Sequence, residues 1–248
     1  MDTEQDLETR LDHVFESIAT AARRAGRRPE EVLLVAVSKT VPAERIAMLA
    51  RLGVRCFGEN RVEEAAEKLP AVASLLGHTA FGTLRWCLVG HLQSRKAARA
   101  VQLFDQIHTV DSIGLAVRLD RLAAAQGRVL PVLVEVNISG EEAKYGLAAG
   151  GWPEAVEQSA ALYDAIEALL EQPHLSVQGL MTVAPLAANA EAVRPVFRRL
   201  RRLRDDLARR YPAQPWTHLS MGMSDDYQVA IEEGATMIRL GRAVFGPR

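Results

Sequence analysis

Apolar and polar positions fall into alternating blocks along the chain. Short apolar runs rich in Val, Ile and Leu recur at 33–38, 54–58, 86–90, 106–110, 132–138, 177–183, 218–221 and 237–240. Continuous apolar runs of this length are expected for strands covered on both faces. Between them lie longer stretches with helical spacing, at 42–52, 62–73, 94–104, 113–125, 153–171, 190–211 and 225–233, and an amphipathic helix over 7–26 precedes the first run. Pro42 and Pro153 stand where a first-turn proline is tolerated, and Gly53, Gly127 and Gly234 stand where helices should end.

Eight strands with helices between them allow two architectures, a closed (β/α)8 barrel or an open doubly wound sheet. An open dinucleotide-binding sheet would carry GxGxxG after its first strand, and none follows Val37. The expectation is therefore an α/β fold, a single TIM-type (β/α)8 barrel with an additional N-terminal helix. The length of 248 residues alone would allow one or two domains. No Ser/Gly/Pro-rich linker or shift of composition divides the chain, so one domain over residues 1–248 is expected, with the AGGWP segment at 149–153 read as a strand-to-helix loop.

Composition narrows the class of function. With 48% hydrophobic and 25% charged residues the chain is an ordinary globular sequence, and a net charge of −1 provides no field to recruit nucleic acid or an anionic membrane. The densest basic run, 194–210, reads as the solvated face of a helix whose buried side carries Val196, Leu200, Leu203 and Leu207. Cys56 and Cys87 sit in apolar runs without CxxC spacing or a histidine cluster, which makes them buried free thiols. No apolar stretch reaches the roughly 18 residues needed to span a bilayer. The N-terminus is acidic and polar where a signal peptide would be basic and then apolar, so a cytoplasmic protein is expected.

In a barrel the working residues sit where strands end, and these ends are polar here. Lys39 ends the run 33–38. Ser220-Met221-Gly222-Met223-Ser224-Asp225-Asp226 follows the seventh run and leads into a helix, so its N–H groups and two serine hydroxyls could receive a phosphate. The eighth run ends in Arg239-Leu240-Gly241-Arg242 beside it. A lysine facing a phosphate pocket points to a covalent imine with an aldehyde or ketone phosphate ester: pyridoxal 5′-phosphate (PLP), or a sugar phosphate as in a Schiff-base aldolase. Arg239 suits the pyridine nitrogen of PLP, where a guanidinium would donate to an unprotonated nitrogen and leave the ring a weaker electron sink; a structural ion pair of Arg239 with Glu59 or Asp225 would remove that argument. His91 is read as pocket wall in preference to acid or base. Asn60 and Asn137 suit a ring hydroxyl or a loop backbone, Glu59 and Lys144 either pocket contacts or an ion pair, and Met181, Met221 and Met223 packing around a flat ligand or the core.

The segments AVSKT, FGENRVEE, GHLQSRK, VNISGEEAKYGL, GLMTVAP, LSMGMSDD and IRLGRAVFG, spanning 33–246, resemble the signature blocks of the YggS/PROSC family of PLP homeostasis proteins, barrels related to the N-terminal domain of alanine racemase. The resemblance implies an internal aldimine of PLP at Lys39, phosphate contacts from Ser220, Met221, Gly222 and Gly241, Arg239 at the pyridine nitrogen, and Asn60 and Met181 lining the cofactor. It implies a PLP carrier that holds the cofactor and delivers it to apo PLP-dependent enzymes, without classical PLP catalysis, without nucleic acid, metal or membrane, and as a monomer or weak dimer. The rival is a PLP-dependent amino-acid racemase, which would need a second domain to bring a tyrosine base, whereas this chain ends at Arg248 just after the eighth run. A sugar-phosphate aldolase is a third possibility. The sequence departs from the blocks at Cys87 (commonly His), Arg95 (Asn), Arg242 (Ser or Thr) and Val41, where many members carry a second lysine. The last departure leaves Lys144 as the nearby candidate for a secondary PLP site.

Overall fold

A computed structural model describes residues 3–247. Among the described residues nine parallel strands form: β1 (Leu33–Val37), β2 (Cys56–Glu59), β3 (Arg85–Leu88), β4 (Gln106–Val110), β5 (Leu130–Asn137), β6 (Leu147–Ala148), β7 (Leu175–Met181), β8 (His218–Ser220) and β9 (Met237–Leu240). Eight of them close a barrel. Neighbours run β4-β3-β2-β1-β9-β8-β7-β5, and the β4–β5 pairing completes the ring. β6 is a two-residue addition that pairs with β5 at Val136 and Asn137.

Ten α-helices of the described residues accompany the strands: α1 (Glu4–Arg24), α2 (Ala43–Arg51), α3 (Val62–Leu76), α4 (His78–Phe81), α5 (Ala97–Leu103), α6 (Ile113–Ala125), α7 (Val156–Leu170), α8 (Arg194–Arg210), α9 (Tyr227–Glu232) and α10 (Arg242–Phe245). The expected additional N-terminal helix is α1. It starts at a capping box between Thr3 and Asp6, and its buried stripe of Leu7, Leu11, Val14, Ile18 and Ala21 packs on α9 and α10. Gly53, Gly127 and Gly234 follow helix ends with positive φ, as expected for caps.

Three readings change. Pro153 is not in a first helical turn: it follows Trp152 through a cis bond, and α7 begins only at Val156. The buried stripe of α8 is Phe197, Leu200, Leu203 and Leu207, with Val196 half-buried at its margin. Residues 106–110 are buried on both faces as expected, but the inward face is polar. Alternation along the strands separates two layers. Leu34, Ala36, Phe57, Leu88, Ile107, Val134, Leu219 and Ile238 pack outward under the helices. Val35, Cys56, Cys87, Leu133, Met181 and Met237 form the apolar part of the interior. The rest of the interior is Gln106, His108, Glu135, Ser220 and Arg239, all buried.

The thiols of Cys56 and Cys87 are free and buried, 3.6 Å apart. The basic run is tied up within the chain: Arg194, Arg198 and Arg201 converge on the nearly buried Glu233, Arg194 also reaches Glu191 and Glu232, and Arg210 lies over the Tyr163 ring. Among the described residues no helix is long and apolar enough to cross a membrane.

Candidate functional site

A cavity of about 420 Å³ opens at the C-terminal ends of the barrel strands. Lys39, Asn60, Arg239 and Gly241 line it, together with Val37, Val89, Val183, Leu186, Met223, Ser224, Asp225 and Arg242.

Lys39 is set by a rigid turn after β1. Ser38 is buried, its N–H bonded to Gly58 O and its hydroxyl donating to Glu59 Oε1 at 2.7 Å. Thr40 then adopts a left-handed conformation at φ 61° and donates its N–H to Glu64. A β-branched residue there stores strain of order 1 kcal/mol, and the surrounding bonds hold it. Lys68 Nζ locks the turn from below, donating to Ser38 O (2.8 Å), Glu59 Oε1 (2.8 Å) and Glu64 Oε1 (2.7 Å). Glu59 is thus a structural ion pair. Burial pushes its carboxyl up, against the Lys68 and Ser38 hydrogen bonds that pull it down.

Asn60 reaches the cavity because the loop after β3 passes directly beneath it. A Cβ on Gly90 would lie 2.4 Å from Asn60 O, so only glycine permits the approach.

Arg239 projects inward from β9. Its Nη1 donates to Ser220 Oγ and its Nη2 to Thr182 O, both at 2.8 Å, and it pairs with neither Glu59 nor Asp225. Two of its five N–H groups are thereby used, and the others remain for the cavity. Burial lowers its pKa to about 10, against the opposing charges of Glu135 and Asp226, so it stays cationic at neutral pH.

Loops after β8 and β9 close the other side. Gly222 sits at φ 94°, where a Cβ would come within 2.7 Å of Ala230 Cβ. Met223 N–H is capped by Asp226 Oδ1 at 2.6 Å, Ala243 N–H donates to Ser224 Oγ at 3.2 Å, and Arg242 pairs with Asp225.

Of the eight residues singled out in the sequence, the structure gathers Lys39, Asn60, Arg239 and Gly241 on the cavity wall. Ser220 lies deeper, its hydroxyl engaged by Arg239 and His108. Met181 belongs to the barrel interior, and Met221 to the outer core with its N–H paired to Met237 O. Gly222 shapes the loop from beneath. Ser224, four residues on in the same block, is the serine at the cavity; only the exact end of β8 distinguishes the two.

Glu135 was missed altogether, although a lone carboxylate inside the apolar run LPVLVEVN was a signal. It faces inward one step above Leu133, is 7% exposed, and neither of its oxygens accepts a hydrogen bond, Oε2 being fully buried. Burial, reinforced by the Asp111 charge and opposed by Arg239, raises its pKa to about 7. His91 belongs to the rim: Nδ1 lies 2.9 Å from Asp111 and its ring stacks on Tyr145 at 3.7 Å. Lys144 also sits there, bonded to Val183 O and paired with Glu141, while Asn137 organises that loop through Glu141 O and Gly140 N.

Residues 10–248 match the alanine racemase N-terminal domain family. A pyridoxal phosphate homeostasis protein of Aquifex aeolicus is 42% identical over 96% of this chain and 97% of its own length. This chain belongs to the pyridoxal phosphate homeostasis family. The PipY protein of Synechococcus elongatus, a COG0325 family member in a structure with PLP bound, superposes with a TM-score of 0.80 at 36% identity, covering 97% of this chain and all of PipY. Alanine racemase of Clostridium difficile shares the fold, with a TM-score of 0.70 at 15% identity over 98% of this chain and 57% of the racemase.

Proposed function

We propose that this barrel binds PLP covalently through Lys39, keeps it sequestered and hands it on to apo PLP-dependent enzymes, acting as a non-catalytic, cytoplasmic, single-domain carrier. The observation that carries the reading is the convergence on one cavity of a lysine amine, a buried guanidinium with unused donors, and the Ser224 and Gly241 loops. The relative named for PLP homeostasis and the PLP-bound PipY structure support the same ligand.

The residues present fit PLP. A cavity of about 420 Å³ lies within the range of cofactor pockets. Arg239 can donate to a ring nitrogen but has no acceptor, Ser224 and the backbone of the two tied loops suit a phosphate, and the carboxyl of Glu135 stands buried without a partner. When bound, PLP supplies an aldehyde that condenses with primary amines and a ring that withdraws electrons. Arg239 keeps its own proton at neutral pH, so a ring nitrogen held against it would stay unprotonated and carbanion chemistry would be poorly supported. Lys39 would be the tether, held by its turn, Asn60 lines the same cavity, and the apolar wall of Val37, Val89, Val183 and Met223 would keep water from the attachment point.

Borohydride reduction of the loaded protein followed by peptide mass spectrometry should place the adduct on Lys39. Lys39→Ala should abolish the yellow colour and the adduct; colour and adduct retained elsewhere would overturn the assignment. Incubation with L-alanine should yield no D-alanine, and measurable racemisation would establish the enzyme reading instead.

A further inference from the structure

The barrel interior holds a line of polar side chains beneath the cavity. Arg239 Nη1 donates to Ser220 Oγ at 2.8 Å, His108 Nδ1 lies 3.1 Å from the same oxygen, His108 Nε2 lies 3.0 Å from Gln106 Oε1, and Gln106 Nε2 donates to Gln178 Oε1 at 3.0 Å. Ser220 and His108 are fully buried. Gln106 and Gln178 border a second cavity, of about 490 Å³, at the N-terminal end of the barrel, so the line crosses the barrel from end to end.

Counting donors fixes its direction. A guanidinium has no acceptor, so the Ser220 oxygen receives from Arg239 and its one proton is left for His108 Nδ1. A neutral ring that accepts at Nδ1 carries its proton at Nε2, where it meets the acceptor Gln106 Oε1. The amide of Gln106 then donates onward to Gln178. Every link pairs one donor with one acceptor. Burial, with the charges of Arg239 and His218 nearby, keeps His108 neutral by lowering its pKa to about 3.

We propose that His108 is a positioning residue for Arg239: as the neutral Nε2–H tautomer, set from below by Gln106, it draws the Ser220 proton away from the guanidinium and pins Nη1, leaving the remaining Arg239 donors aimed at the cofactor. The line itself is a property of the cofactor-free barrel; its consequence for the ring nitrogen rests on the PLP reading. In this arrangement Ser220 has no proton left to donate to a phosphate, since its proton and one lone pair are committed inside the barrel.

Two measurements separate these layers. In the cofactor-free protein, ¹⁵N chemical shifts of His108 should report the neutral Nε2–H tautomer unchanged between pH 5 and 8; an Nδ1–H tautomer, or titration in that range, overturns the proposal. In the PLP-loaded protein, His108→Leu and Ser220→Ala should each alter the absorption band of the bound cofactor and weaken PLP binding about tenfold, with no further loss in the double variant. His108→Asn, whose Oδ1 can accept from Ser220, should restore band and affinity. A wild-type band and affinity in His108→Leu, or an equal defect in His108→Asn, overturns the proposal. Should His108→Leu not fold, Ser220→Ala carries the spectral test. If even the wild-type protein takes up no PLP, the proposed function fails and the tautomer measurement alone decides the role of His108.

Discussion

Two carboxylates are buried at the same end of the barrel and have opposite surroundings. Glu59, after β2, accepts from Ser38 and Lys68 through Oε1, and Lys68 ties the same knot to Ser38 O and Glu64. Glu135, on β5 across the barrel, has charged neighbours in Asp111 and Arg239 but no hydrogen bond. The first corner spends its charges on shaping the turn that carries Lys39. The second leaves a buried carboxyl group without a hydrogen-bond partner, and most of a guanidinium at the cavity wall. A buried charge that already has its partner belongs to the fold, and one that lacks it marks the wall a ligand completes.

The comparison can be broken most forcefully at its paired corner. Lys68→Met leaves Glu59 buried with no cation, and unfolding in urea at pH 8 should show a loss of about 3–5 kcal/mol, smaller at pH 5 where Glu59 can take up a proton. A loss below about 1 kcal/mol would mean that the ion pair is not what secures the turn.

Glu135→Gln should act in the opposite direction. With its folded-state pKa raised to about 7 from an ordinary 4.5, Glu135 keeps a proton that the unfolded chain gives up between those values. Its contribution to stability is therefore full below pH 4.5 and lost as pH rises to about 7. The cofactor-free variant should gain about 3 kcal/mol at pH 8 and nothing at pH 4, flattening the slope between. Equal stabilities at both pH values would remove Glu135 from the unpaired wall.

The smallest effect is expected at Ser224. Ser224→Ala should weaken PLP binding by about fivefold, the worth of one hydrogen bond near 1 kcal/mol, while leaving the cofactor absorption band in place. A shifted band would show that Ser224 touches the ring and not the phosphate.

Much of this was legible in the chain. The runs 106–110 and 237–240 coincide with β4 and β9, because short runs of buried residues leave strands little room to slide. Lys39, Asn60, Arg239 and Gly241 were recoverable because strand ends in a barrel point to one mouth. The elements α4, α10 and β6 were not, since two to four residues carry no periodicity. That Ser220 turns into the barrel while Ser224 stands on the cavity wall was not legible, because it depends on where β8 stops. The polar interior of β4 escaped notice because burial normally selects apolar residues, and the pair that Gln106 and His108 form is completed only by Gln178 and Ser220, which lie 72 and 112 residues away in the chain.

The contact between Gly90 and Asn60 O has a consequence for anyone reshaping this protein. The two loops on that side of the cavity cannot be varied independently, because the width of the mouth is set by an absent methyl group. Any side chain at position 90 must drive the Asn60 backbone outward before it alters anything else. A glycine that touches no ligand is therefore the most economical place from which to change the size of the molecule that the barrel admits.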